Sequence, residues 1–334
     1  MAGLGAPIAQ GTLTAGLERL VPLFEPVRDV WHAKHLSERL FHGDETSWKV
    51  FEKIPGKAGY RWYLWQTRSA SVVFFWMAPG RGAEVLKQHF AALDREALII
   101  FVCDRYSAYP CWAKDYPNVL LACCWAHVRR DFLDAAKAWP ALATWMCARV
   151  EAIGELYHCN GERLEVWDPE LPLARQSPVF QMRHQVLSDR LAAMAKQRDL
   201  CLEDSSLPSA QRKVLTSLKR HWSGLTVFVG HPQTPMDNNR AENSHRNPVT
   251  GRKNYYGSGA VWSAHLAAML FSILQTLVLW GLNPRHWLWA FLTACAENGG
   301  QPLEDVTPFL PWTMDPARRE ALRQPPPPLP HDTS

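Results

Sequence analysis

Length, composition and charge place this chain among ordinary globular proteins. It has 334 residues, of which 47% are hydrophobic and 20% charged, which is enough for two domains or for one domain with a large insertion. A net charge of only +4 excludes a uniformly basic protein, so a polyanion site would need a local cluster of basic residues. Eight cysteines without a repeated CxxC pair, and no signal-peptide pattern, predict reduced thiols in a cytoplasmic protein and give little support for a structural zinc site.

The first part of the chain predicts two helices followed by a strand-rich section. Helical spacing runs over 7–24 and 25–39, and the period then changes to a short strand over 40–44 that ends in Asp44. Runs that are apolar on both faces are typical of central strands in a covered sheet. Further strands are predicted over 60–67, 71–77, 97–103 and 119–124, with a helix over 83–93.

The rest of the chain is mostly helical in pattern. Helical spacing continues over 125–225, a short strand and loop are predicted over 226–236, and helices follow over 237–246 and 258–280. No charged residue occurs over 255–284, but polar side chains interrupt this apolar run, so a buried helix is favoured over a membrane span. This order predicts an α/β core interrupted by a helical insertion.

Three acidic residues form the candidate catalytic set. Asp44 and Asp104 each follow a strand-like run, where open α/β sheets place their sites, although an Asp in this position is also a common turn residue. Glu242 lies within DNNRAENSHR and by itself fits a solvated helix or a capping arrangement. Mg²⁺ prefers carboxylate oxygens, and two such ions clamp the attacking and leaving oxygens of a phosphodiester displacement. Three converging carboxylates therefore predict metal-dependent DNA strand chemistry.

Several longer blocks carry a family resemblance. They are HGDETSWKV (42–50), CDRYSAYPCW (103–112), CCWAHVRRDF (123–132), DNNRAENSHRNPVTGRKNYYGSGA (237–260) and LNPRHWLWAFL (282–292). With these blocks in this order, the sequence resembles the insertion-sequence-66 transposase family. The resemblance implies an RNase H-like mixed sheet flanked by helices and a triad of Asp44, Asp104 and Glu242 that binds two Mg²⁺ or Mn²⁺ ions. It also implies cut-and-paste or related strand transfer on insertion-sequence ends.

The resemblance further implies how the chain is divided. Residues 1–38 are expected to be the helical remnant of a longer DNA-binding region, so end recognition is expected to be mostly absent from this chain. The expected partners are transposon-end and target DNA, further copies of the chain on that DNA, and accessory transposition proteins, with no membrane. The remaining predicted segments are a catalytic core over 39–132 and 226–285, a helical insertion domain over 133–225, a C-terminal helical segment over 286–323 and a proline-rich disordered tail over 324–334.

Polar and basic residues near the second and third acids complete the predicted site. Cys124 and His127 have the spacing of a zinc-binding pair, but no second pair of ligands accompanies them. Two interpretations stay open: a packed cysteine with a hydrogen-bonded histidine, or a family signature that supports the site or positions DNA. Asn238 and Asn239 are expected to cap the Glu242 helix or to contact the DNA backbone. Phosphate-binding residues are predicted at Arg129, Arg130, Arg240, Arg246, Arg252 and Lys253, with Tyr255 and Tyr256 available to stack on an unpaired base.

Two other functions remain beside that of an active transposase. One is a catalytically silent or domesticated DNA-binding remnant, which the missing N-terminal region favours and the three intact acids disfavour. The other is an RNase H-like nuclease that only hydrolyses DNA and would share the same metal site. Asn243 and His245 replace an arginine and an apolar residue that are usual in the family, which predicts weaker DNA contacts with unchanged metal binding.

Overall fold

Helices dominate the secondary structure. The computed structural model describes residues 9–323, so the disordered tail predicted over 324–334 lies outside the described residues. The strands are β1 (Leu40–Lys49), β2 (Arg61–Arg68), β3 (Val73–Ala78), β4 (Ile99–Cys103) and β5 (Val119–Cys123). The helices are α1 (Gln10–Glu18), α2 (Leu20–Leu36), α3 (Ala83–His89), α4 (Ala108–Ala113), α5 (Trp125–Ala138), α6 (Ala143–Glu165), α7 (Pro178–Glu203), α8 (Ser209–Arg220), α9 (Trp222–Leu225), α10 (Val227–Gly230), α11 (Asn239–Tyr255), α12 (Val261–Leu279), α13 (Pro284–Glu297) and α14 (Pro316–Arg323).

The strands pair in both orientations, which confirms the predicted α/β class with mixed strand directions. β1, β2 and β3 are antiparallel, whereas β4 and β5 are parallel. The chain divides into two compact units. The discontinuous unit contains the chain up to Asp94 and from Arg240 onward, and the continuous unit contains Arg95–Asn239. The domain boundaries predicted at residues 132 and 226 stay a prediction.

In the discontinuous unit, β1 is longer than the sequence indicated. It continues past Asp44 to Lys49, so the prediction of a strand that ends at Asp44 is wrong. The cause is antiparallel pairing with β2, which places Asp44 opposite Gln66 and Trp48 opposite Trp62. Both tryptophans are buried, so the row of buried side chains on this face of β1 continues beyond Asp44. Asp44 therefore lies in the middle of a paired strand rather than in a turn.

The apolar helix α12 packs on the edge strand of this unit. By length and composition alone α12 could cross a membrane, and 44% of its apolar window is buried inside the protein. Two of its hydroxyl oxygens accept backbone amides of β3: Ser272 Oγ from Phe75 at 2.8 Å and Thr276 Oγ1 from Val73 at 2.9 Å. These bonds occupy N–H groups that an edge strand otherwise leaves unpaired. The polar residues that interrupt the apolar run thus attach the helix to the strand.

Helices from both ends of the chain form a second core in the discontinuous unit. Trp31 on α2 and Trp287 on α13 are fully buried, with ring centroids 6.3 Å apart. The Trp287 indole donates to the Phe309 carbonyl at 2.8 Å, so its polar atom is satisfied inside the core. α2 is therefore part of the packing of this unit. The origin of residues 1–38 as a DNA-binding remnant stays a prediction.

The continuous unit combines the two parallel strands with long helices. Its core includes Leu156, Leu187 and Leu215 from α6, α7 and α8, all buried. Arg163 is also buried and donates to the carbonyls of Phe228 at 2.8 Å and Val229 at 3.1 Å. These carbonyls belong to α10, so the strand in the strand and loop predicted over 226–236 is wrong, whereas residues 231–236 do form a loop. The β-branched segment forms a helical turn because its carbonyl groups bind a distant arginine rather than a neighbouring strand.

Candidate active site

Asp44 is held on β1 with its carboxylate facing α11. Its Oδ1 accepts the Glu45 amide at 2.9 Å, which fixes the side chain. Its Oδ2 lies 3.8 Å from His245 Nε2 on α11, which is beyond hydrogen-bond distance. The Asp44 side chain is 26% exposed, so one side of the carboxylate remains open to solvent.

His245 and Glu242 share one face of α11, since residues three apart are neighbours on a helix. Glu242 lies in the first turn of α11 and is half-buried, whereas His245 is 5% exposed. Burial is the main cause that lowers the pKa of His245 to about 4, so its imidazole is neutral at neutral pH. The packing of β1 against α11 therefore brings Asp44 to the helix face that carries Glu242.

Gln66 places a second buried polar group beside Asp44. It is directly opposite Asp44 across the β1–β2 pair and is fully buried. Neither its amide oxygen nor its amide nitrogen has a hydrogen-bond partner among the described residues. Nearly all buried polar groups in folded proteins are paired, so these atoms indicate a place for an ordered water.

Asp104 is the first residue after β4, as the apolar run predicted. Its Oδ1 accepts the Tyr106 amide at 2.8 Å, which shapes the turn after the strand. The neighbouring Arg105 points elsewhere and donates to Asp131 at 2.6 Å. Among the described residues no cation pairs with Asp104. The carboxylate therefore follows a buried strand with no paired cation among the described residues.

Cys124 and His127 follow β5 in the continuous unit. The Cys124 amide donates to the carbonyl of Cys103, the residue before Asp104, at 3.2 Å. The Cys124 sulfur accepts the Asn238 amide at 3.2 Å, and a ring nitrogen of His127 lies within 4.8 Å of that sulfur. At the first residue of α11, the Asn239 amide donates to Asp237 Oδ1 at 3.0 Å, an acceptor that the sequence did not single out. The cysteine thus fixes the backbone that leads into α11.

Most of the predicted phosphate-binding residues are solvent-exposed. Arg252 differs, since its Nη1 donates to Thr46 Oγ1 at 3.2 Å and to the Ser47 carbonyl, which braces α11 on β1. The exposed set is Arg129 and Arg130 on α5, and Arg240, Arg246 and Lys253 on α11.

Comparison with known families decides the identity of the chain. Residues 1–266 match the family described as Transposase IS66 family, and all three candidate acids lie within that match. The chain belongs to the IS66 transposase family. This confirms the resemblance predicted from the sequence blocks.

Curated relatives of this IS66-family transposase occur in Sinorhizobium fredii (strain NBRC 101917 / NGR234), where they are named as uncharacterized proteins. The protein y4jD is 26% identical over 328 residues, which cover 93% of this chain and 60% of y4jD. The protein y4qI is 26% identical over 296 residues, which cover 84% of this chain and 51% of y4qI. The chain thus spans about half to three fifths of the length of these relatives.

The sequence patterns singled out Asp44, Asp104 and Glu242 but did not single out a buried neighbour of Asp44. Gln66 follows WYLW in β2 and was counted only as one member of a strand. A polar amide inside an aromatic strand was the available signal. His245 had been noted only as a departure from the family pattern, and the structure places it against Asp44.

Proposed function

We propose that Asp44, Asp104 and Glu242 are the catalytic carboxylates of this transposase and bind two Mg²⁺ or Mn²⁺ ions. The observation that carries the proposal is the packing of β1 on α11, where Asp44 lies 3.8 Å from His245 and Glu242 shares the same helix face. An acid on this strand and an acid on the neighbouring helix both provide hard oxygen ligands for a divalent cation. The buried amide of Gln66 supplies a polar partner for its water shell.

Features of the continuous unit support the role of Asp104. Its carboxylate follows a buried parallel strand and has no cationic partner among the described residues. The order of the elements also agrees with an RNase H-like core. Three antiparallel strands are followed by two parallel strands, and in the chain α3 lies between β3 and β4 and α4 between β4 and β5. We propose that this core contains both units' strands and that the long helices α6–α8 are its insertion.

The proposed reaction has two steps, hydrolysis of a DNA strand and transfer of that strand to the target. Hydrolysis breaks a P–O3′ bond at the transposon end and leaves a 3′-hydroxyl and a 5′-phosphate. The 3′-oxygen then forms a bond to a phosphorus atom of the target, and the target strand leaves with a free 3′-hydroxyl. Divalent ions bound by these carboxylates would neutralise charge on the phosphate and activate the attacking oxygen. The protein contributes the three carboxylates that hold the ions and exposed arginines and lysines that position the DNA backbone.

A cleavage assay with neutral variants tests the proposal. The purified chain is incubated with labelled insertion-sequence-end DNA and Mg²⁺ or Mn²⁺. We expect Asp44→Asn, Asp104→Asn and Glu242→Gln each to lower strand cleavage at least 100-fold, since each removes a ligand charge. Asp134→Asn is the matched control, because Asp134 is 65% exposed on α5 and lies outside the proposed site. Its cleavage rate should equal that of the parent.

The products distinguish the alternatives. Cleavage followed by joining supports the transposase, whereas cleavage without joining identifies a hydrolytic nuclease. DNA binding without cleavage in either metal would identify a silent DNA-binding remnant and overturn the proposal.

Metal-directed backbone cleavage tests the triad without DNA. Fe²⁺ in place of Mg²⁺, with ascorbate and peroxide, generates radicals that cut a polypeptide beside the metal ligands. We expect cuts near residues 44, 104 and 242, all suppressed by excess Mg²⁺. Cuts near only one of these positions would contradict a shared metal site.

A further inference from the structure

A basic and aromatic groove lies in the discontinuous unit, five residues along β1 from Asp44. It is about 640 Å³ in volume and is lined by residues from β1, β2 and the end of α11, among them Lys49, Arg61 and Tyr256. We propose that this groove, named here the β1–α11 groove, binds an unpaired segment of a DNA strand. The inference rests on the proposed DNA-processing function and adds the form of the substrate.

The charge of the groove fits a phosphate chain. Its lining contains Lys49, Arg61, Arg252 and Lys253 and no acidic residue. Among the described residues Lys49, Arg61 and Lys253 have no acidic partner, so their charges are available to a ligand. Arg252 is bound to the β1 backbone and presents only part of its guanidinium. Clustered cations without counter-charges are typical of a surface that binds a polyanion.

Three exposed aromatic rings accompany the cations. Tyr256 is 69% exposed, Phe51 46% and Tyr60 40%. Phe51 and Tyr60 lie together, with ring centroids 6.0 Å apart, while Tyr256 stands on the α11 side of the groove. Exposed rings beside cations are the arrangement by which proteins hold single strands, since bases stack on the rings while phosphates meet the charges.

The backbone presents Tyr256 in a strained but fixed conformation. Tyr256 has a φ of 66°, and it alone among the non-glycine residues described has a positive φ. The Ser258 amide donates to the Lys49 carbonyl at 2.9 Å, and Phe51 donates back to Ser258 at 2.9 Å, so the turn is attached to β1. A Cβ at Gly257 would lie 2.2 Å from the Lys49 carbonyl oxygen, so only glycine permits this close approach. Strain held in place by surrounding bonds is characteristic of functional sites.

The combination favours an unpaired strand over a duplex. In a duplex both faces of each base are covered by its neighbours, so a protein ring has no free base surface on which to stack. Duplex binding would need only the charges and would leave three exposed rings without a role. Unpaired bases arise wherever a transposon end is opened for cleavage.

Binding measurements in EDTA test the groove separately from catalysis. Fluorescence anisotropy would follow a labelled oligothymidine, the corresponding duplex, and the duplex with a three-base unpaired bulge. We expect Tyr256→Ala to weaken binding of the single strand and of the bulged duplex about tenfold, as loss of one stacking contact predicts. Binding of the intact duplex should stay within twofold. Trp289→Ala is the control, because Trp289 is 77% exposed on α13 and does not line the groove.

A second variant distinguishes loss of the Tyr256 ring from misfolding. Tyr256→Gly removes the ring and suits a positive φ, so its thermal midpoint should equal or exceed that of the parent. Loss of single-strand binding in this variant then reflects the missing ring. Photocrosslinking of a 5-iodouracil oligonucleotide should label the peptide that contains residues 253–256.

The outcomes separate this inference from the proposed function. Equal single-strand binding by the parent and both Tyr256 variants, or crosslinks confined to other peptides, would overturn the groove as a single-strand site. Metal-dependent cleavage that is intact in the parent would still support the transposase in that case. Absence of cleavage together with Tyr256-dependent single-strand binding would support the groove as a single-strand site and would contradict the proposed catalytic function.

Discussion

Under the proposed function, the position of Gln66 predicts that stability and activity are opposed at one residue. Its amide is fully buried without a partner among the described residues, and such a group costs about 1–3 kcal/mol of stability. A fold keeps such a cost where function needs the group. The amide lies opposite Asp44, and under the proposed function it would bind the water shell of a metal ion.

Replacement of Gln66 by methionine should therefore stabilise the protein and lower its metal-dependent cleavage of DNA. We expect Gln66→Met to raise the free energy of unfolding by about 1 kcal/mol and to lower metal-dependent cleavage by roughly tenfold. Urea unfolding and the cleavage assay measure the two effects. Gln176 is the matched control, because its buried amide nitrogen donates to the carbonyls of Asp168 and Leu171. Gln176→Met should therefore lower the free energy of unfolding and leave cleavage unchanged. A loss of stability in Gln66→Met would contradict the unpaired amide.

Three histidines of the discontinuous unit predict a dependence of stability on pH. The rings of His32 and His35 lie 4.5 Å and 6.2 Å from that of His89. Burial lowers the pKa of His35 to about 3, that of His89 well below its usual range, and that of His32 as well. Below about pH 6.5 the unfolded chain binds protons on these residues more readily than the folded chain does. Stability should therefore be complete above pH 6.5 and decrease as the pH falls.

Replacement of one of these histidines should reduce that decrease. His89 stacks on Trp76 at 3.7 Å, so His89→Phe keeps the stack and removes the titration. We expect its unfolding free energy to fall less steeply than that of the parent between pH 6 and pH 4.5, by at most about 1.4 kcal/mol per pH unit. Urea unfolding at pH 7.5, 5.5 and 4.5 measures this. His158→Gln, at a position 76% exposed, should follow the parent, and an unchanged slope in His89→Phe would refute the assignment.

At the scale of secondary-structure elements, α12 stabilises β3 through hydroxyl groups as well as apolar contacts. Thr276→Val keeps the shape of the side chain but leaves the buried Val73 amide without its acceptor. We expect the free energy of unfolding to fall by about 1–3 kcal/mol. Thr250→Val, at an exposed position of α11, should change it by less than about 0.5 kcal/mol. Equal effects of the two substitutions would show that the hydroxyl is dispensable.

The elements also show what the sequence can and cannot predict. β4 and β5 were located to within two residues, because strands buried on both faces leave a continuous apolar run. The length of β1 was missed because it depends on pairing with β2, and the turn at Val227–Gly230 was mistaken for a strand because its stabilising arginine is Arg163. The acids were predicted from their sequence blocks. The approach of Asp44 to α11 was not, because it depends on packing between segments that are distant in the chain.

At the scale of the whole molecule, net charge says little about DNA affinity. The chain carries only +4, yet unpaired cations are concentrated in the β1–α11 groove. Lys49→Gln combined with Arg61→Gln should reduce the slope of log affinity against log salt by about 1.4 for single strands. Lys196→Gln combined with Lys213→Gln removes the same charge from exposed positions of α7 and α8 and should leave the slope unchanged. Equal slopes for both pairs would mean that total charge rather than position governs binding.

The discontinuous unit also has a consequence for synthesis on the ribosome. The core of β1–β3 includes Trp48, Trp62 and Phe75 and is completed by Ala264 and Ala268 of α12, which are translated much later. At ordinary elongation rates the delay is roughly ten to forty seconds. During that time the continuous unit can fold from an uninterrupted segment. The aromatic side chains of β1–β3 remain exposed to solvent until α12 is synthesised and packs on them. Nascent chains of this transposase are therefore expected to depend on chaperones until α12 emerges, and a chain that terminates before residue 261 should aggregate.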